Sequence, residues 1–402
     1  MRKKILITFL FIVFVFVGVR LGFSANKKKN SDQLYKPMEM ISETMTIIQK
    51  EYVEDTKTKD LIYGALKGML ASLDAHSQFM DPETYEELKI DTQGKFGGLG
   101  IEITIKDGSL TVITPIQDTP AWKAGIKAND RIVKINDLST REISLTDAVK
   151  KMRGEPGQVV NLTILRDTEK KLLDFKITRA MIKITGIKYA RMLESGIGYI
   201  RISEFRENTL GELNNALSVL SKQGMKALII DLRNNPGGLL DVAVKVTGKF
   251  LEPNKLIAYT KGRQKGQDLE FFSEAKNIKL ELPLAILINE GSASGSEIVA
   301  GALQDYKRAI IIGKKSFGKG SVQTVIPLED GCALRLTTSH YFTPSGKIIQ
   351  GQGIIPDILV EESKLADNKI DEVGGGFNYQ ADIQLNRAVD TLIAIGIYKQ
   401  IK

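Results

Sequence analysis

The sequence predicts an α/β core, interrupted by a small β-rich module and flanked by helical segments at both ends. Three observations carry this. From about residue 181, apolar runs such as "IGYIRIS", "ALIIDLR", "LAILIN" and "AIIIG" alternate with helical stretches at 209–223, 239–251 and 297–306, the pattern of buried strands layered with helices. Between 94 and 180, short strands ("IEITI", "LTVITPI", "DRIVKIN", "VVNLTIL") are punctuated by turns. Residues 37–90 and the late stretch "DIQLNRAVDTLIAIG" instead place apolar residues at helical spacing.

Taken in order, the chain begins with "MRKK" and an apolar run from Ile5 to Val19, closed by Arg20 and followed by small residues near Gly22, Ser24 and Ala25. That is the form of an export signal over 1–25. At ~1.5 Å per residue the run reaches roughly 22 Å, short of the ~30 Å hydrocarbon core; tilt, or inclusion of "RLGF", makes an uncleaved anchor the alternative. Either way the expectation is a protein exported to the periplasm or the outer face of the cytoplasmic membrane. The same segment accounts for the net charge of +8. Residues 1–29 hold seven of the 56 Lys and Arg and no acid, leaving 49 basic and 48 acidic residues in the remainder, which is no footprint for nucleic acid. The single cysteine, Cys332, rules out an intramolecular disulfide and a multi-thiolate zinc site.

In the helical region, 35–93, Met40, Ile41, Met45, Ile48 and Tyr52 form one stripe, and Leu61, Leu66, Met69 and Leu73 another. Partner interface and core packing are equally good readings of both. The β-rich module at 94–180 resembles a PDZ domain: "GGLGI" matches the carboxylate-binding loop, "AGI-x-x-x-D-x-I-x-x-I-N" the middle, and "DAVKKMRG" the second helix. Gly98, Leu99, Gly100 and Ile101 are then the expected site for a peptide C-terminus. Glycines there permit a turn whose N–H groups face a carboxylate, and strand 101–105 can accept an added peptide strand.

The chemistry is expected in "INEGSASGSEIVAGALQD". A strand ending at Asn289, a small-residue turn and a helix place Ser292, Ser294 and Ser296 at a strand end, where α/β proteins put their sites. Ser294 reads two ways: as a nucleophile near a helix N-terminus, or as the N-cap of the S-x-x-E capping box it forms with Glu297. The chain has only two histidines, His76 and His340, neither in a glycine-flanked motif, and no GxSxG. A lysine is therefore the better candidate base. Such a lysine must be neutral, which from an ordinary ~10.4 to about 7–8 takes roughly 4 kcal/mol of burial. Lys319, between Gly318 and Gly320, suits that requirement, with an exposed turn lysine as the alternative.

"DLRNNPGGLLD", "NEGSASGSEIVAGALQDYKRA" and "SFGKGSVQT", together with "LDAHSQFMDPE" and "YFTPSGKIIQGQGIIPD", resemble the carboxyl-terminal processing peptidases, serine proteases with a Ser–Lys dyad. The resemblance spans nearly the whole chain and implies a protease core of crotonase-like or ClpP-like layers at 181–360, with a helical C-terminal segment at 361–402. It implies Ser294 as nucleophile, Lys319 as general base and Gln323 as the side chain that supports the lysine, a polar strand residue being the alternative reading of Gln323. Backbone N–H groups of Gly295 and of Gly237 or Gly238 would meet the oxyanion. The family commonly has alanine where Gly295 stands. Arg153, closing the second PDZ helix, is either a coupler between peptide occupancy and the active site or a cation on a helix C-terminus. Expected partners are protein or peptide C-termini, a second copy paired through the terminal helices, and an activating adaptor. No metal or organic cofactor is implied, since no acid or histidine cluster has ligand spacing. Two other functions fit parts of the pattern: a catalytically dead PDZ adaptor, against which Ser294, Lys319 and Gln323 stand together, and an esterase, against which the missing GxSxG stands.

Overall fold

The computed structural model describes residues 35–166, 169, 171–274, 280–362 and 381–401. The export segment and the "GGG" joint at 374–376 lie outside them. The described residues form two compact units, one within Met1–Asp81 together with Pro327–Leu336, the other within Pro82–Ile326 together with Thr337–Lys402.

The first unit holds a helix at 35–51, the helix Thr58–Ala71 and the strand Gln78–Met80, which pairs antiparallel with residues 333–335. Its small core gathers Leu70, Phe79 and Cys332, with Tyr63 and Leu66 packed against them. The second apolar stripe is thus partly a core stripe. The first is not: no residue of 35–51 is buried, and Met40 is 67% exposed.

In the second unit, helix Pro82–Gln93 leads into strand Lys95–Gly98, which pairs antiparallel with Ala180–Lys183. These two segments are the way into and out of the β-rich module. The module is a sheet with Ile101–Lys106 at one edge, followed by Ser109–Pro115, Arg131–Ile135, Val159–Arg166 and Lys171–Thr178, and with the helix Leu145–Met152. Val159–Arg166 shows why it folds as a strand: Val160, Leu162 and Ile164 are buried and their alternate neighbours are not.

The core sheet orders its strands Ile187–Met192, Ile197–Ile202, Ala227–Asp231, Leu284–Ile288, Ile310–Gly313 and Ile358–Leu359. The first pair is antiparallel and every later pair parallel. Both faces are covered, so the strands read as unbroken apolar runs. Along Ala227–Asp231, Leu228 and Ile230 pack under the helices Thr209–Lys222, Leu240–Gly248 and Gly295–Asp305, while Ala227 and Ile229 pack under Ile383–Ile401 through Leu385, Ala388, Val389 and Leu392. The helices expected at 239–251 and 297–306 are therefore Leu240–Gly248 and Gly295–Asp305. The second starts earlier because Ser294 caps it.

That last helix is anchored by charge. Arg233 makes paired bonds to Asp382 (2.7 and 2.9 Å), bonds Asp231 at 2.6 Å and Gln384 at 3.1 Å, and Tyr199 donates to Asp231 at 2.8 Å. Burial pushes the Asp231 carboxyl up, but the adjoining Arg233 guanidinium overrides it and holds the group below its ordinary range.

Candidate active site

Two parallel strands, Ala227–Asp231 and Leu284–Ile288, end side by side and release the loops "LRNNPGG" and "NEGSAS". A reciprocal pair of bonds ties the loops at their roots: Asn234 N–H donates to Asn289 Oδ1 at 2.9 Å, and Asn289 Nδ2 donates to Asn234 Oδ1 at 3.0 Å.

The three serines separate cleanly. Ser292 Oγ donates to Leu232 O at 2.8 Å and Ser296 Oγ to Asn235 O at 3.0 Å, and both residues are fully buried. Their hydroxyls stitch the two loops together. Ser294 is half-buried and sits at φ 53°, ψ −112°, a backbone conformation that costs on the order of 1–3 kcal/mol in a non-glycine residue and recurs at functional sites. It is also the N-cap, and its N–H donates to Glu297 Oε2 at 2.9 Å. The two readings of Ser294 are therefore not exclusive: it completes a capping box with Glu297 and still stands half-buried at the strand end.

Lys319 lies in the segment 314–320, which has no helix or strand, just before the strand Ser321–Pro327. Its N–H donates to the same Glu297 Oε2 at 2.9 Å. The Ser294 and Lys319 amides therefore stand no farther apart than these two bonds laid end to end. Gln323 is half-buried on the strand, and its Nε2 donates to Ser321 Oγ at 2.9 Å and to Thr337 Oγ1 at 3.4 Å. Ser321 and Gln323 share one side of the strand, and Lys319 stands two residues ahead of Ser321. His340 is exposed, opposite Lys261 in the neighbouring strand.

The oxyanion candidates converge on Ser294. A Cβ added at Gly237 (φ 109°) would lie 2.7 Å from Ser294 Cβ and 2.8 Å from Gly295 N, so only glycine permits that approach. The Gly237 N–H donates to Asn235 Oδ1 at 2.8 Å, whereas the N–H groups of Gly238 and Gly295 have no acceptor among the described residues. Gly295 also has a packing reason for lacking a side chain: a Cβ there would stand 3.0 Å from the Phe205 ring.

Two functional candidates escaped the sequence reading. Tyr341, 2% exposed, donates its hydroxyl to Lys319 O and also hydrogen-bonds Ser294. Burial pushes its phenol well above the ordinary range, against the opposing bond from Ser294. Glu297 escaped in part. The capping box was legible, but its second set of bonds was not: Oε1 accepts from Ser316 Oγ at 2.5 Å and from Gly318 N at 2.7 Å. "SHYF" and "SEI" carry no spacing signal for either role.

In the β-rich module, Gly98, Leu99, Gly100 and Ile101 line a groove between the edge strand Ile101–Lys106 and the helix Leu145–Met152, with Phe96, Val149, Met152 and Arg153 completing it. Leu99 and Gly100 N–H groups have no acceptor among the described residues. The Arg153 guanidinium sits 4.6 Å from the centre of the Phe96 ring, on the strand that enters the module.

Known proteins resemble this chain over most of its length. The model of peptidase family S41 matches residues 196–360, that of the PDZ domain residues 97–177, and that of the activating protease CtpB N-terminal domain residues 20–84. A carboxy-terminal-processing protease of Bartonella bacilliformis is 44% identical over 358 residues, 88% of this chain and 82% of its own length. A probable CtpA-like serine protease of Staphylococcus aureus strain COL is 35% identical over 364 residues, 90% of this chain and 71% of its own. The solved structure of a putative S41 protease from Bacteroides fragilis shares the fold, at a TM-score of 0.54 and 16% identity, covering 87% of this chain and 97% of that one. The chain belongs to the carboxy-terminal-processing proteases of peptidase family S41, serine peptidases with a PDZ domain.

Proposed function

We propose that the protein is an exported endopeptidase that takes protein C-termini into its PDZ groove and cleaves peptide bonds through a Ser294–Lys319 acyl-enzyme mechanism. The observation that carries the dyad is the contrast among the serines: Ser292 and Ser296 have their hydroxyls engaged by backbone carbonyls, and Ser294 does not share that backbone fate. In the proposed cycle Ser294 Oγ attacks the peptide carbonyl as its proton passes to Lys319 Nζ. The oxyanion forms beside Gly238 and Gly295 N–H, donors of a kind worth about 3–4 kcal/mol each in the transition state. The C–N bond then breaks as Lys319 returns the proton to the leaving amine. Water, deprotonated by the same lysine, hydrolyses the ester and restores the Ser294 hydroxyl. Gln323, beside Ser321 on the strand leaving Lys319, would help hold the base in place.

The PDZ groove supplies substrate choice. Its glycine loop offers N–H groups for a terminal carboxylate and its apolar walls suit an apolar last residue. Arg153 is proposed to report occupancy to the core, because its partner Phe96 lies on an entry strand of the module. Arg153→Ala tests this on tailed and tail-blocked substrates: loss of tail dependence supports it, and unchanged activity with unchanged tail dependence refutes it. The export-like segment at 1–25 supports a location outside the cytoplasm, cleaved or anchored. The unburied apolar stripe of 35–51 favours a partner surface for that helix, and a second copy is the proposed partner; the match to an activating protease's N-terminal domain makes an activating adaptor the other candidate.

The deciding experiment follows degradation of an unstructured polypeptide with a free apolar C-terminus by wild type, Ser294→Ala and Lys319→Ala. Cleavage by wild type alone supports the dyad. Cleavage by Lys319→Ala at the wild-type rate refutes the base assignment, and tail binding without cleavage by any form favours an adaptor.

A further inference from the structure

We infer that Glu297 is a positioning residue that holds the nucleophile loop and the base loop in register, a role that rests on the Ser294–Lys319 reading. A capping box requires one bond from the residue at the third helical position to the N-cap amide. Glu297 makes that bond and three more that helix capping does not call for. Oε2 is shared by the Ser294 and Lys319 amides, at 2.9 Å each. Oε1 is shared by Ser316 Oγ at 2.5 Å and Gly318 N at 2.7 Å. One carboxylate thus ties the residue before the helix to three positions of a segment that has no helix or strand of its own.

The chemistry of the four bonds fixes its state. Ser316 Oγ accepts from Ile354 N at 2.6 Å, so its proton is free to point at Glu297. Three neighbours are amides that can only donate, and Ser316 Oγ donates as well when its proton points at Glu297, a set that suits an ionised carboxylate. The side chain is 1% exposed. Burial raises its carboxyl above the ordinary value, and the four donors act in the opposite direction. Two of the four hydrogen bonds that hold it come from the amides of the proposed dyad. Glutamine in its place keeps the volume but turns an NH₂ either toward the Ser294 and Lys319 amides or toward the Ser316 hydroxyl and the Gly318 amide, so at least one N–H donor loses its acceptor and the loops lose their register.

The test measures kcat and KM separately on the tailed polypeptide, using the full chain as wild type, Glu297→Gln, Ser316→Ala and Lys319→Ala. A displacement of about 1 Å between reacting groups costs on the order of 10²-fold, so Glu297→Gln is expected to lower kcat by about that factor. KM, set largely at the PDZ groove, should change by no more than about twofold. Ser316→Ala removes one donor of four and is expected to lower kcat by roughly tenfold, with KM again unmoved. If Glu297→Gln does not fold, Ser316→Ala decides alone, and wild-type kcat in that variant overturns the inference. Glu297→Gln with wild-type kcat and a lower Tm is what simple helix capping predicts and overturns it as well, as does a rise in KM at constant kcat. Lys319→Ala separates the two levels. If it retains full activity, the dyad itself fails; if it is inactive while Glu297→Gln cleaves normally, only the positioning role fails.

Discussion

Replacing Arg233 with methionine removes the cation that bonds two buried carboxylates at once. Asp231 is fully buried and Asp382 is 2% exposed, and Arg233 bonds both, at 2.6 and 2.7 Å through Nη2 alone. Breaking a buried pair from one side costs about 3–5 kcal/mol, because the remaining charge loses its partner. Here two charges are left, within a total stability of about 5–15 kcal/mol. The loss should have a pH signature. In the wild type, Asp231 is held below its ordinary range by Arg233, so its stabilising contribution is present above an unfolded value of about 3.9 and fades as pH falls through the lower folded value. In the variant, burial without the guanidinium raises the Asp231 carboxyl, so acid relieves the fault by protonating it. Denaturant unfolding at pH 7 and at pH 4.5 should therefore show a deficit of about 3–5 kcal/mol at the higher pH and a smaller one at the lower. Hydrogen exchange should quicken first in Ile383–Ile401, whose first turn Asp382 caps through Leu385 N at 3.0 Å. A deficit below about 1 kcal/mol, or one that does not change with pH, would refute the reasoning.

Two further substitutions probe the site. Gly237→Ala forces a Cβ to within 2.7 Å of Ser294 Cβ at φ 109°, so it should lower stability by about 1–3 kcal/mol and abolish cleavage; thermal unfolding and turnover check both, and wild-type turnover refutes the close-approach argument. Tyr341→Phe keeps the ring and removes the hydroxyl that bonds Lys319 O and Ser294, so kcat should fall roughly tenfold at unchanged Tm, and an unchanged kcat would mean that the phenol serves packing alone.

The parts of this molecule that were legible in its sequence are those with local causes. The runs "ALIID" and "LAILI" are buried at every position because both faces of the sheet are covered, and apolar continuity reports that directly. The PDZ pieces were legible because each glycine and helix sits in a fixed order along the chain. Ser294 and Glu297 were legible as a capping box because they stand three positions apart, the S-x-x-E spacing. What stayed hidden depends on chain separation: Arg233 meets Asp382 across 149 residues, Glu297 meets Lys319 across 22, and Tyr341 reaches Lys319 across another 22. No periodicity encodes such meetings. The first apolar stripe, at Met40, Ile41, Met45, Ile48 and Tyr52, shows the opposite limit. Spacing announces a face, and says nothing about whether this chain or another covers it.

The most direct test of the dyad is to map where an active-site-directed fluorophosphonate attaches, and how fast, in wild type and in Lys319→Ala. A neutral lysine raises the nucleophilicity of one hydroxyl only. A Ser294–Lys319 dyad predicts a single adduct on Ser294 and labelling slowed by at least about 10²-fold in Lys319→Ala. An adduct on Ser292 or Ser296, or a Lys319→Ala chain labelled at the wild-type rate, would contradict it.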